Sequence, residues 1–124
     1  MPGEVAVVGI GMITAVGLSA AETAASVRSA TARFTETSLM DKRFEPFTLA
    51  EVPEEGLPEL VEGVTNIGLT ARETRMLRLG TAALRECLKA LPPRQASPGL
   101  TLSLPETDTM RPLDGPLFLQ GLAL

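Results

Sequence analysis

The stretch Val5-Ala6-Val7-Val8-Gly9-Ile10-Gly11-Met12-Ile13-Thr14-Ala15-Val16-Gly17 places the tightest limit on what this chain can fold into. It carries no charge, is rich in β-branched residues, and falls short of the roughly 20 apolar residues a membrane-spanning helix needs. An apolar run of this kind, closed by glycines and followed by a helix-start signal, predicts a strand of a parallel sheet, buried on both faces, and its turn.

Two helices are legible behind it. Ser19-Ala20-Ala21-Glu22 is a capping box, in which a hydroxyl and a carboxylate satisfy free amides of a first turn. It predicts a helix from Ala20 to about Thr31, built of small residues that allow close approach but bury little area each. Thr70-Ala71-Arg72-Glu73 is a second capping box, and it opens a longer helix from about Ala71 to Leu91, stopped by Pro92-Pro93. At 100° per residue, Met76, Leu77, Gly80, Ala83, Leu84, Cys87, Leu88 and Leu91 share one side. Arg75, Arg78, Arg85 and Lys89 gather on the other.

The segments between are less regular. From Phe34 to Glu62 periodicity fades, and Pro46, Pro53 and Pro58 alternate with acids from Glu45 to Glu62. This reads as a surface connector. Within it, Phe44 to Val52 is compatible with a short edge strand that turns Phe47, Leu49 and Val52 inward, the prolines barring a central place. Leu100-Thr101-Leu102-Ser103-Leu104 alternates strictly and predicts a second strand ended by Pro105. Together these elements predict a single α/β domain over residues 1–124, with a right-handed β-α-α-β unit whose amphipathic helices pack on a small sheet. The tail is irregular up to Leu117-Phe118-Leu119-Gln120-Gly121-Leu122-Ala123-Leu124, an apolar run ending without a cap.

Composition narrows the function classes. The chain has no Trp or Tyr and four Phe, so its core must be aliphatic and alanine-rich. A net charge of −4 argues against nonspecific nucleic-acid binding, which requires a basic footprint. One cysteine forms no internal disulfide, and Glu4 stands where a secretory signal would carry Lys or Arg. The expectation is a soluble, cytoplasmic protein with no membrane contact.

The chemistry-bearing residues are few. There is no histidine in the chain, and neither paired cysteines nor acids at ligand spacing suggest a metal. Gly9-x-Gly11 after a strand invites a dinucleotide reading, but Thr14 stands where the third glycine belongs and the helix starts too late. A structural role for these glycines is the better expectation, and no cofactor is expected. Cys87, on the apolar side of the long helix, is expected to pack rather than react.

The run Val5–Gly17 with Leu18-Ser19-Ala20-Ala21-Glu22 resembles the N-terminal strand and turn of the β-ketoacyl synthases of the thiolase superfamily, with Ala15 in place of the usual proline. Ser29-Ala30-Thr31 is similar to that family's post-helix turn, Thr70 to Leu91 to its alanine-rich helix, and Leu100 to Leu104 to its second strand. Leu104-Pro105-Glu106 departs from the family's glycine-rich ending. The resemblance implies part of a thiolase-like fold. The family's chemistry uses a cysteine at a strand–helix turn and histidines further along a longer chain; Cys87 does not match that cysteine, so no catalytic residue is carried over.

Two functions are therefore expected. One is a noncatalytic ketosynthase-like scaffold or protein-interaction domain. The other is the N-terminal part of a 3-oxoacyl-[acyl-carrier-protein] synthase-type acyltransferase whose catalytic residues lie outside this chain. Either predicts a homodimer or another protein partner, with the first strand's edge and Leu117, Phe118 and Leu119 at the contact. By resemblance, Arg75, Arg78, Arg85 and Lys89 could serve an acidic acyl carrier protein; the chain's own acidic connector is the competing partner for that basic face.

Overall fold

The computed structural model describes residues 3–65, 67–91, 99–104 and 114–122. Among them it forms a small α/β protein with four helices and one two-stranded antiparallel sheet. The helices are α1 (Ala20–Arg28), α2 (Glu62–Thr65), α3 (Ala71–Leu88) and α4 (Gly115–Gly121), and the strands β1 (Thr35–Met40) and β2 (Pro46–Leu49).

Both capping boxes start the helices they predict. At α3, Thr70 Oγ1 accepts from the Glu73 amide at 3.2 Å, and the Glu73 carboxylate accepts from the Thr70 amide at 2.7 Å. At α1, Ser19 Oγ accepts from the Glu22 amide, while Glu22 reaches one residue further back, to the Leu18 amide at 2.8 Å. α1 ends at Arg28, earlier than expected, because Ala30 turns left-handed at φ 54°. The Thr31 amide then returns to the Ser26 carbonyl at 2.9 Å, closing the end as glycine commonly does elsewhere. α3 ends at Leu88; the next residues tighten into three-residue steps, Ala90 to Cys87 and Leu91 to Leu88.

The core sits between α2, α3 and α4. Val64, Leu77, Phe118 and Leu122 are buried together, with Leu60, Ile67, Leu69 and Met76 packed around them. α4 was not expected as a helix. Asp114 starts it, its Oδ1 accepting from the Leu117 amide at 3.1 Å, with Pro116 in the first turn.

The sheet differs from expectation. β2 lies inside the anticipated edge segment, but its partner β1 falls in what reads as connector, and the pair is antiparallel with Thr35 opposite Leu49 and Met40 opposite Pro46. Asp41 builds the turn: its Oδ1 accepts from the Arg43 and Glu45 amides at 2.7 and 2.9 Å. Phe47 and Leu49 do not turn inward, and every residue of the ribbon except Thr37 is exposed.

The two expected strands of the β-α-α-β unit are not strands here. Residues 5–13 and 100–104 belong to no sheet, and no parallel pair forms among the described residues. The reason is physical: a strand is defined by its ladder, and α3, on which these segments lie, offers side chains but no free backbone groups to pair with.

Candidate interaction surface

The N-terminal run is attached to α3 by its glycines. A Cβ at Gly9 would lie 2.6 Å from the Cys87 carbonyl oxygen, and one at Gly11 would overlap the carbonyl of Ala83. Residues i and i+2 of an extended chain share a face, and 83, 87 and 90 share one on a helix, so two glycines meet a strip of Ala83, Cys87 and Ala90. Neither glycine has a positive φ. They are required by closeness, not by backbone freedom, and Gly9-x-Gly11 is a packing motif rather than the expected turn. Cys87 is half-buried beneath the run, its Sγ donating to the Gly9 carbonyl at 3.6 Å.

Glu86 clamps this arrangement across the sequence. Its carboxylate accepts from the Met12 amide at 3.0 Å and from the Ala20 amide at 3.0 and 3.1 Å. Ala20 is the first residue of α1, so a negative charge already sits at the positive end of that helix. The end that would hold a phosphate in a dinucleotide site has its own anion. Between the two clamped amides, Thr14 and Gly17 close a tight turn through mutual backbone bonds of 2.8 and 3.3 Å. Ser26 Oγ donates to the Val16 carbonyl at 2.7 Å, and the Thr14 and Thr23 hydroxyls bond at 3.0 Å. Nothing in the sequence pattern singles out Glu86, which stands between Arg85 and Cys87 on the flank of an apolar helix. Replacing it with Gln removes the charge and one acceptor oxygen; Glu86→Gln should lower stability by about 1–2 kcal/mol, read from the urea midpoint, with faster hydrogen exchange at Met12 and Ala20.

With the glycines turned to α3, the other side of the run faces outward. Val8, Ile10 and Met12 are 64%, 59% and 39% exposed, and Val5 and Val7 are exposed as well. This corrects the expectation of a strand buried on both faces. Among the described residues, the amides of residues 5–11 have no backbone partner. Leu100, Leu102 and Leu104 are likewise exposed on an unpaired segment. Two apolar segments therefore lie without a sheet neighbour among the described residues.

The basic face of α3 is divided. Arg75 pairs with Glu54 and donates to the Val52 carbonyl at 2.6 Å. Arg78 holds Glu54 at 2.6 Å and the Leu57 and Pro58 carbonyls at 3.1 and 3.0 Å, with Glu59 at 3.8 Å. The acidic connector thus wraps onto these two arginines, whereas Arg85 and Lys89, further along α3, are exposed. At α4, Phe118 is buried in the core, Leu117 is half-buried, and Leu119 is 50% exposed. A contact made through this helix has Leu119 to use; Phe118 is occupied by Val64, Leu77 and Leu122.

No family model, curated protein or solved structure matches this chain.

Proposed function

We propose that this chain is a noncatalytic, ketosynthase-like protein-interaction domain of the cytoplasm, and that its N-terminal run accepts a strand from another polypeptide or a second copy of itself. The observation that carries this reading is the state of residues 5–11: seated on α3 by Gly9 and Gly11, apolar on the outward side and, among the described residues, with backbone amides that have no backbone partner. Such an edge is a template for strand addition, in which backbone bonds supply affinity and alternate side chains supply specificity. Exposed β-branched residues gain roughly 25 cal/mol for each Å² of apolar area covered. Of the four basic residues, Arg85 and Lys89 are the pair left for an acidic partner such as an acyl carrier protein.

The second reading is the N-terminal part of a 3-oxoacyl-[acyl-carrier-protein] synthase-type acyltransferase. That residues 5–11 and 100–104 belong to no sheet among the described residues favours it, because strands of one larger sheet would complete the two together. The chain's lack of histidine leaves proton transfer in such an enzyme to residues elsewhere.

Light scattering behind size exclusion tests the main reading, from millimolar down to low-micromolar chain. The expected mass lies above the 13.1 kDa of one chain, and Ile10→Lys should return it to that value with an unchanged circular dichroism spectrum. A folded native chain that stays at the single-chain mass throughout would overturn self-pairing through this run and the expectation of an incomplete sheet.

A further inference from the structure

Independently of that reading, we propose that the cavity between α3, α4 and residues 99–104 is a binding site for a medium-length alkyl chain. The cavity measures about 270 Å³ and is walled by Met76, Leu84, Leu102, Leu104, Phe118 and Leu122. Among the described residues, the one polar side chain in its lining is that of Ser103, itself exposed, and no charged or amide side chain contributes. The leucine, methionine and phenylalanine side chains of this wall form no hydrogen bonds, so the length of a ligand laid against them is apolar. Its flexible Leu and Met side chains adapt to a linear chain, and a polar end would remain in water near Ser103.

A second observation points the same way. Gly80 lines the cavity from the interior of α3, where glycine is the least favourable residue after proline. Its backbone is helical, with no positive φ to require it. Nor does packing among the described residues require it: a Cβ there would meet Leu122 Cδ2, at an ordinary 3.8 Å. Gly121 is the contrast, since a Cβ on it would come within 2.6 Å of Leu77 Cδ1. Gly121 is glycine because the core touches it, whereas Gly80 faces the cavity with no described residue pressed against it. A helix that forgoes a side chain there keeps the cavity open, and the space is what the glycine preserves.

The test is a displacement titration on the full chain, with N-phenyl-1-naphthylamine as the bound fluorophore and 1-decanol as the competitor. Saturable uptake of one fluorophore per chain, released by decanol, is expected. Gly80→Leu, which fills the cavity, should weaken both ligands by about tenfold or more, while Gly80→Ala should melt at a higher temperature than the native chain. Should Gly80→Leu fail to fold, Leu102→Asp on the opposite wall decides, with the same loss expected. Absence of saturable uptake by the native chain would overturn the site, whether the chain's own residues or a second copy fill the space. Variants that bind as the native chain does would overturn it equally.

Discussion

Leu77→Ala should lower the free energy of unfolding by about 3–4 kcal/mol, the largest effect expected of any single truncation in this chain. Leu77 is fully buried, and it is the residue on which three helices meet: Val64 of α2, and Phe118, Gly121 and Leu122 at α4. Removing three carbons there leaves a cavity that cannot collapse easily, because Gly121 already brings the α4 backbone against the side chain. A domain of this size has a total stability of about 5–15 kcal/mol, so the loss would take a large share of it. The chain has no Trp or Tyr, which makes helical circular dichroism in urea the practical readout. Leu77→Met, which nearly conserves volume, should cost under about 1.5 kcal/mol. If Leu77→Ala cost less than Leu77→Met, the junction of α2, α3 and α4 would not be the core.

Gly11→Ala should detach the N-terminal run from α3. The added methyl would overlap the Ala83 carbonyl and sit 2.9 Å from the Cys87 amide nitrogen. Both are helix backbone, which cannot yield without breaking α3, so the run moves instead. Its departure removes the Met12 bond to Glu86 and uncovers the thiol of Cys87. The expected cost is about 2–3 kcal/mol. If about 1.4 kcal/mol of that falls on local opening, the reaction of Cys87 with DTNB accelerates about tenfold. Gly3→Ala is the control, since nothing lies within 4 Å of a Cβ at that position. Equal thiol reactivity in the two variants would mean that the run does not shield Cys87.

How much of the molecule was legible depended on the range of the physics involved. Ser19 and Thr70 announced their helices because a cap is an interaction over three residues, complete within the sequence window that displays it. Pro92-Pro93 lie outside the described residues, and α3 ends at Leu88, short of the predicted Leu91, because the chain tightens there into three-residue steps. The hairpin was half visible. Prolines and Phe47 marked β2, but β1 reads Thr-Glu-Thr-Ser-Leu-Met without an apolar alternation, and its turn places Phe44 at φ 62° where Gly or Asn would signal the bend. α4 is hidden because its apolar residues look like an uncapped tail, while the cap, Asp114, lies ahead of them and is recognisable only once Leu117 has folded back to it.

The sequence by itself determined the apolar character of residues 5–13, the two capped helices and the absence of any histidine to do acid–base work; the core it predicts as aliphatic and alanine-rich is built instead, among the described residues, of Leu, Val, Ile and Met around Phe118, with no alanine. Only the tertiary structure decided what each of these faces. A run of valines and glycines is equally apolar whether sheet neighbours flank it or water does, because hydrophobicity belongs to the residue and pairing belongs to the surroundings. The same holds for charge: Arg75, Arg78, Arg85 and Lys89 are alike in sequence, and only the path of the connector gave Glu54 and the carbonyls of residues 52–58 to the first two. Glu86 shows the limit most clearly. Its partners lie 66 and 74 residues away, and a bond over that distance has no local trace, since it exists only where folding has brought the run, α1 and α3 to one place.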